Sequence, residues 1–212
     1  MKIAIICDVP LKENNGTAIA ALNLIHFLKK RGHSLTIVCP ESDIPKMEDE
    51  IRVPKINFFF LNGYVEKNGV TLARPEKRIL KKVIENVDVV HLLVPFSLSR
   101  AAVKIARSLG VPITASFHCQ AENVSNHIKM MNNQWFNEQV YKNFYRAVYR
   151  YCDCVHYPTQ FIRNVFENST GPTNGFVISN GVNPLFLSRQ KRAESPGEYR
   201  DRFIVLCSGR YS

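Results

Sequence analysis

The sequence predicts an α/β fold in which a doubly wound parallel sheet carries helices on both faces. Short apolar runs rich in valine and isoleucine recur along the 212 residues, and such runs are typical of strands buried on both faces of a sheet. Segments with apolar residues at helical spacing separate these runs. A regular alternation of buried strands and helices is the pattern of parallel sheets.

The first strand, helix and strand form a βαβ unit over residues 2–39. An apolar run at residues 2–7 predicts the first strand, and a similar run at residues 35–39 predicts the second. Residues 17–31 predict a helix with one apolar side, and Gly32 is placed to end it. A strand, a helix and a second strand in this order predict a parallel pair joined by a crossover.

The pattern loosens after residue 40 and then resumes. Short strands are predicted at residues 51–53 and 57–61. Further helices are predicted at residues 73–87, 97–109, 132–151 and 160–167, and further strands at residues 87–93, 113–117, 154–157 and 176–179. At least four buried strands therefore alternate with helices.

The end of the sequence predicts a domain boundary. Residues 183–202 are mostly polar and charged, which is typical of a linker. We therefore predict a Rossmann-like N-terminal domain over residues 1–182. After the linker, residues 203–212 contain an apolar run that ends in Gly209 and Arg210, and they predict the first strand and turn of a second domain that is cut short.

The charge of the chain favours anionic partners. Twenty-eight Lys and Arg against 18 Asp and Glu give a formal net charge of +10, which suits phosphorylated metabolites or an acidic lipid surface. Nucleic acid gets little support, because no zinc-finger, RNP or recognition-helix pattern accompanies the charge. No apolar run approaches the roughly 20 residues of a transmembrane helix, and the cysteines lack metal-site spacing. We expect a cytoplasmic protein with reduced thiols and no metal.

Gly16 and Thr17 stand where the first strand leads into the first helix. Ligands of doubly wound sheets bind at the carboxyl ends of the strands, and a glycine at the start of a helix lets backbone N–H groups approach a phosphate. The two residues are therefore candidates for phosphate binding. A simple turn in which Thr17 caps the helix fits the local sequence equally well, and the GxGxxG fingerprint of dinucleotide sites is absent.

A second candidate group follows the strand predicted at residues 113–117. His118 comes at the carboxyl end of this strand, and Gln120, Glu122 and Asn123 follow at once. Because the cleft of such a fold lies at this edge of the sheet, we expect these polar side chains to lie there. His118 and Glu122 do not form an HExxH pair, so no zinc site is predicted.

These segments, together with the turn at Asn180 and Gly181 and the closing Gly209 and Arg210, resemble the retaining glycosyltransferases with the GT-B fold that are numbered family 4. The resemblance covers essentially the whole chain, as the N-terminal, acceptor-side half of that fold. It implies that Asn180 and Gly181 lead from the acceptor side of the cleft into the interdomain hinge. It also implies that Gly209 and Arg210 contact the donor phosphates.

The same resemblance implies roles for the first two segments. Gly16 and Thr17 would approach the donor diphosphate, and His118 would be the catalytic residue near the transferred sugar. The polar residues just after His118 would line the acceptor side of the cleft. Many members carry two adjacent glycines in the first loop, whereas Asn15 precedes Gly16 here.

The function that the resemblance implies is transfer of a hexose, with retention, from a nucleotide-sugar to a lipid or saccharide acceptor. The donor, expected to be UDP-linked, is a substrate, and no cofactor is expected. The segment FHCQAEN is similar to that of bacterial members that glycosylate lipids. Since the donor-binding half of the family would follow Ser212, we expect the 212 residues alone to have little or no activity. The oligomeric state is left open.

A basic amphipathic helix is a candidate for attachment to a membrane. The helix predicted at residues 73–87 carries Lys77, Arg78, Lys81 and Lys82, which suit anionic head groups as well as they suit a solvated face. A lipid acceptor would make the protein peripheral on the inner face of the membrane.

The aromatic helix predicted at residues 132–151 gives a second candidate for this attachment. Trp135, Tyr141 and Tyr145 would then lie at the lipid interface. Packing of the apolar stripe of this helix on the sheet is the favoured interpretation.

Two other classes of function are alternatives to sugar transfer. A non-catalytic module that docks on a membrane or another chain fits the charge and the incomplete second domain. An NAD-dependent dehydrogenase fits the opening βαβ unit, but the missing GxGxxG fingerprint opposes it.

Overall fold

The computed structural model describes residues 1–12, 16–57 and 71–181 of the chain. Seven strands in these residues form one sheet in which every pair of neighbours is parallel. The strands are β1 (Lys2–Ile6), β2 (Ser34–Pro40), β3 (Glu50–Val53), β4 (Val89–Leu92), β5 (Ile113–Ser116), β6 (Cys154–Tyr157) and β7 (Gly175–Val177).

Helices connect most of these strands. They are α1 (Gly16–Lys30), α2 (Lys77–Ile84), α3 (Ser97–Leu109), α4 (Ala121–Asn126), α5 (Gln134–Ala147) and α6 (Gln160–Thr170), and a 3₁₀ turn (Tyr149–Tyr151) follows α5. In the part of the chain that the structure describes, no helix is both long and apolar enough to cross a membrane.

The order of the strands reverses at β1. The sheet runs β3-β2-β1-β4-β5-β6-β7, so that β1 pairs with β2 on one side and with β4 on the other. This arrangement confirms the predicted doubly wound α/β fold. In such sheets the crevice for ligands lies outside the carboxyl ends of the strands at the point of reversal, which here is the edge beyond β1 and β4.

The two faces of the sheet bury different cores. Alternate residues of a strand point to opposite faces. Ala4 and Ile6 of β1 belong to a large buried cluster that includes side chains of α2, α3, α5 and α6. Ile3 and Ile5 belong to a smaller cluster on the other face, which includes Ala21 of α1. Both clusters together bury residues 3–6 of β1, as its continuous apolar run predicts, and only Lys2 at its start is exposed.

An aromatic cluster fixes the segment that follows β5. The ring of Phe117 lies 4.6 Å from that of Phe166, 5.3 Å from that of Tyr149 and 5.6 Å from that of Tyr157, measured between centroids. Tyr141 of α5 joins this cluster and is only 2% exposed. The packing interpretation of α5 is therefore confirmed for Tyr141, and a position of this residue at a lipid interface is wrong.

Some predicted elements differ from the structure. The helix α4 was not predicted, because only Ala121 and Ser125 of its six residues are buried and this leaves no apolar period to detect. The helix predicted at residues 73–87 forms only at its centre, over α2. Of the strand predicted at residues 57–61 only Asn57 is described, and it lies outside the sheet.

The predicted domain boundary falls mostly outside the described residues. A compact unit spans Met1–Asn180, and a second unit spans Gly181–Ser212. Only Gly181 of the second unit is described. The linker at residues 183–202 and the strand and turn at residues 203–212 therefore stay predictions.

Asp8 is a buried carboxylate that joins the end of β1 to the start of α3. Its oxygens accept hydrogen bonds from the backbone N–H of Leu98 at 2.6 Å, from the backbone N–H of Ser99 at 3.0 Å and from the Ser99 hydroxyl at 2.6 Å. Asp8 thus caps α3, since the residue at the N-cap position, Phe96, has no side chain that could do so. Burial raises the pKa of Asp8 to about 6, although the hydrogen bonds oppose this rise.

Replacement of Asp8 is expected to be strongly destabilising. Asp8→Ala leaves two buried N–H groups and one hydroxyl without an acceptor, and we expect the free energy of unfolding to fall by about 2–4 kcal/mol. Urea unfolding followed by circular dichroism measures this change. The control is Asp88→Ala, which removes an exposed carboxylate that accepts from the N–H of Lys2. A loss for Asp8→Ala no larger than that of the control would contradict the assigned cap.

Candidate functional site

The first helix and the segment after β5 meet at the carboxyl edge of the sheet. Thr17 lies in the first turn of α1, and His118 lies two residues beyond the end of β5. The Thr17 hydroxyl is 3.5 Å from the backbone oxygen of His118 and donates toward it. Two of the predicted site segments, 101 residues apart in the chain, are thus brought together where the fold places its crevice.

The start of α1 is suited to an anion. Gly16 is the first residue of the helix and is exposed. The first turn carries no acidic residue, and the positive end of a helix dipole favours an anion. A Cβ added at Gly16 would meet nothing within 4 Å among the described residues, so packing does not require glycine at this position. That a ligand approaches the backbone at Gly16 therefore stays a prediction.

His118 is a half-buried, neutral imidazole. Burial lowers its pKa to about 4, and the nearby His156 adds to this effect. The two rings meet edge to face with centroids 6.0 Å apart. At neutral pH His118 can therefore accept one hydrogen bond and donate another, but it carries no charge.

A hydrogen-bonded chain of side chains runs across the sheet behind His118, and we call it the histidine network. His91 contacts the Thr114 hydroxyl through Nδ1 and the Ser116 hydroxyl through Nε2, both at 2.9 Å. The Ser116 hydroxyl is 3.2 Å from His156 Nδ1, and His156 Nε2 is 2.6 Å from the backbone oxygen of Ile178. The network therefore links β4, β5, β6 and the residue just after β7.

The backbone oxygen of Ile178 sets the direction of the bonds that join His156, Ser116 and His91. A carbonyl oxygen only accepts, so His156 Nε2 donates to it. In the tautomer with its single N–H at Nε2, His156 accepts from the Ser116 hydroxyl through Nδ1, and Ser116 accepts from Nε2–H of His91. His91 Nδ1 then faces the Thr114 hydroxyl at 2.9 Å, and the single hydrogen of this hydroxyl also has the backbone oxygen of Val90 as an acceptor at 3.4 Å. Burial, reinforced by repulsion from His118 and His156, lowers the pKa of His91 to about 3 and keeps it neutral.

Sequence reasoning did not single out this network. The side chains of His91 and His156 each find hydrogen-bonding partners. The signal that could have found the network is the polar residue at alternate positions of otherwise apolar strands, since β4 reads VVHL and β6 reads CVHY. In a parallel sheet such positions align on one face.

The polar residues after His118 diverge in the structure. Gln120 is half-buried just before α4, and Asn123 is exposed on α4. The Glu122 carboxylate accepts a hydrogen bond of 2.5 Å from the Tyr141 hydroxyl of α5. Burial and this contact raise the pKa of Tyr141 well above its usual range. Glu122 thus anchors α4 to α5, and a role of these three residues in the cleft stays a prediction.

The remaining candidates lie near the end of the described chain or beyond it. Asn180 and Gly181 are exposed, and Gly181 has a φ of +78°, a left-handed conformation that favours glycine and fits the predicted turn. Gly209 and Arg210 lie outside the described residues. Within residues 1–12, 16–57 and 71–181, no group of three His, Cys, Asp or Glu side chains could hold a metal ion.

Comparison with known protein families matches residues 14–185 to Glycosyltransferase Family 4. Among curated proteins, an alpha-monoglucosyldiacylglycerol synthase from Streptococcus pneumoniae is 25% identical over 97% of this chain and 46% of its own length. A protein of the same name from Acholeplasma laidlawii is 23% identical over 99% of this chain and 56% of its own. The chain therefore spans about half the length of these relatives.

A shorter match and a structural match complete the comparison. A GDP-mannose-dependent alpha-mannosyltransferase from Mycolicibacterium smegmatis is 27% identical over 55% of this chain and 32% of its own length. Among solved structures, a Listeria monocytogenes protein described as a UDP-N-acetylglucosamine 2-epimerase superimposes with a TM-score of 0.51, at 15% identity, over 92% of this chain and 50% of its own. At this identity the structural match supports the fold alone.

The histidine network is expected to make stability depend on pH. His91 has a lowered pKa in the folded chain, so its contribution is present above its unfolded pKa of about 6.5 and is lost as the pH falls toward 3. From pH 7 to pH 5 this loss amounts to about 2 kcal/mol at most. We expect the variant His91→Gln, which does not titrate, to lose correspondingly less stability over this interval than the parent chain.

Urea unfolding at pH 7 and pH 5 measures this difference. The matched control is His26→Gln, whose exposed ring lies on α1 outside the network. Asp8 has a raised pKa and acts in the opposite direction in all three proteins, so it cancels in the comparison. Equal slopes for His91→Gln and the parent chain would contradict the buried neutral state of His91.

Proposed function

The chain belongs to glycosyltransferase family 4, and we propose that it forms the acceptor-side half of a retaining hexosyltransferase that acts on a lipid acceptor. The donor in this proposal is a nucleotide-sugar, UDP-linked, that serves as a substrate. The observation that carries the proposal is the meeting of Thr17 and His118 at the carboxyl edge of the sheet. The two relatives named alpha-monoglucosyldiacylglycerol synthase, each matched over almost all of this chain, favour a lipid acceptor.

The charge distribution at this edge fits departure of a diphosphate. Glycosyl transfer leaves negative charge on the donor phosphates and develops positive charge on the sugar ring. The start of α1, with Gly16 and Thr17, offers backbone N–H groups and the positive end of the helix dipole to the phosphates. Neutral His118 can bind a sugar hydroxyl without repelling the positively charged ring, because its lowered pKa keeps it unprotonated.

The basic face of α2 supports attachment to an anionic membrane. Leu80, Val83 and Ile84 are buried in the core. The exposed side carries only cations, which are Lys77, Arg78, Lys81 and Lys82. No ion pair engages these four side chains among the described residues. The apolar side of α2 is thus unavailable to lipid, and attachment through this helix would be electrostatic.

One aromatic side chain of the other candidate helix is available for contact with lipid. Trp135, at the start of α5, is 68% exposed, and Ile128 and Met131 just before it are 53% and 45% exposed. Such a group of exposed apolar side chains suits the interfacial region of a bilayer. It would add to the electrostatic attraction of α2.

Loss of the His118 side chain is expected to reduce transfer. In the full-length protein, His118→Ala should lower kcat at least about 100-fold, which is typical for removal of a group that contacts the reacting centre. The assay follows transfer of labelled glucose from UDP-glucose to diacylglycerol in mixed micelles. His26→Ala, a change on the exposed side of α1, is the control and should retain activity. Full activity of His118→Ala would contradict the assigned role.

The same assay tests the 212 residues alone. The relatives are about twice as long as this chain, and closure of a cleft between two domains is a common requirement for such transfer. We propose that residues 1–212 by themselves transfer little or no sugar. Transfer at a rate near that of the full-length protein would contradict this part of the proposal.

Charge reversal on α2 is expected to weaken binding to anionic vesicles. Each basic residue near such a surface contributes about 1 kcal/mol, so Lys81→Glu with Lys82→Glu should lower the partition coefficient at least about tenfold. Sedimentation with phosphatidylglycerol-containing liposomes at low salt measures the bound fraction. The matched control is Lys30→Glu with Arg31→Glu, which reverses two adjacent exposed cations at the end of α1. Equal losses for both pairs would show dependence on net charge alone and contradict a role for α2.

A further inference from the structure

Packing, and not a hydrogen bond, holds the ring of His118. The backbone oxygen of this residue accepts from the Thr17 hydroxyl at 3.5 Å. Among the residues that the structure describes, however, no hydrogen bond engages either nitrogen of the His118 ring. The side chain is half-buried, so its choice of rotamer is restricted by the groups packed against it. The orientation of this imidazole therefore depends on its neighbours.

His156 is an aromatic neighbour of this ring. The two imidazoles meet edge to face, with centroids 6.0 Å apart and ring planes at 80°, which is a favourable geometry for aromatic pairs. Two further contacts join His156 to the segment that carries His118. The backbone N–H of Phe117 donates to the His156 backbone oxygen at 2.8 Å, and the Ser116 hydroxyl lies 3.2 Å from His156 Nδ1. Residues 116–118 thus all contact His156.

His156 itself is held at both of its ring nitrogens. Nδ1 faces the Ser116 hydroxyl on β5, and Nε2 donates to the backbone oxygen of Ile178 at 2.6 Å, just after β7. The N–H of Ile178 donates in turn to the backbone oxygen of Tyr157 at 2.9 Å, which fixes this part of the chain beside β6. Hydrogen bonds at both nitrogens leave the His156 ring one orientation. His156 therefore presents a fixed surface to the ring of His118.

We propose that His156 is a positioning residue, whose ring restricts the His118 imidazole to the orientation that contacts the transferred sugar. This inference rests on the proposed function, in which His118 is the group that contacts the sugar. A displacement of about 1 Å at a reacting centre can reduce a rate about 100-fold, so a half-buried ring without a hydrogen bond of its own needs such support. The alternative role for His156 is only to tie β5 to the end of β7.

Two substitutions separate these roles. His156→Gln removes the ring but keeps an amide N–H that can donate to the Ile178 oxygen. His156→Phe keeps a ring beside His118 but has no hydrogen-bonding group. If His156 acts through its ring, Phe should preserve the orientation of His118 better than Gln. If His156 only ties the strands, Gln should stay closer to the parent. Because His156 is only half-buried, both variants are expected to fold.

The orientation of His118 is measured by NMR of the labelled chain. Three-bond couplings from the backbone nitrogen and carbonyl carbon of His118 to its Cγ report the χ1 angle. We expect the values of a single rotamer in the parent chain and in His156→Phe, and averaged values in His156→Gln. The matched control is His26→Gln, the same substitution at an exposed position of α1, which should leave these couplings unchanged. A single rotamer of His118 in His156→Gln would overturn the inference.

Kinetics of the full-length protein give the second measurement. In transfer from UDP-glucose to diacylglycerol, His156→Gln should lower kcat about tenfold and leave KM for the donor within about twofold, because the start of α1 is unaltered. His156→Phe should keep kcat within about threefold of the parent. A larger loss of kcat in His156→Phe than in His156→Gln would overturn the inference in favour of the tying role.

The variant His118→Ala separates failure of this inference from failure of the proposed function. If His118→Ala is fully active, the proposed role of His118 fails, and the positioning role of His156 fails with it. If His118→Ala loses activity while His156→Gln retains the kcat of the parent, only the role of His156 is overturned.

Discussion

The buried carboxylate of Asp8 is the constraint on which the crevice depends. Its three hydrogen bonds hold the first turn of α3 against the end of β1, at the point where the strand order reverses. The chain reinforces this junction from a third direction, because the N–H of Ala73 donates to the backbone oxygen of Asp8 and the Ser97 hydroxyl donates to that of Ala73. In a low-dielectric interior such a satisfied polar cluster specifies a single arrangement. The edge that carries the candidate site therefore rests on a rigid support.

One face of the sheet carries the large apolar cluster, and the other face carries the smaller apolar cluster and the histidine network. On one face, buried apolar residues from nearly every strand meet α2, α3, α5 and α6. On the other, the apolar cluster is centred on β1, β2 and α1, and the histidine network occupies β4, β5 and β6. The register places Ile5 beside His91 and His91 beside Thr114. His91 and Thr114 thus lie in line with the buried Ile5 across the sheet. This apolar neighbour explains why His91 is desolvated and held neutral.

Much of the fold could be predicted from the sequence, whereas only part of the site could. Buried strands and long amphipathic helices leave periodic signals in the sequence. The rule that ligands bind at the carboxyl ends of strands places Thr17 and His118 at the same edge of the sheet, and the two residues do meet there. The contact between Glu122 and Tyr141 left no such signal, because α4 is short, largely polar and oriented by tertiary packing alone.

Because the hydrogen bonds of the histidine network run in one direction, the backbone oxygen of Ile178 determines which tautomer His91 adopts. Both imidazoles carry their proton on Nε2 for one reason, which is that the Ile178 oxygen can only accept. If the strand end at β7 shifted so that this oxygen left His156, every hydroxyl and ring in the row would be free to reverse together. The proton of His91 would then lie on Nδ1 instead of Nε2, although β5 and β6 separate His91 from the end of β7. Imidazole ¹⁵N chemical shifts of His91 would therefore act as a remote spectroscopic gauge of the backbone position at Ile178.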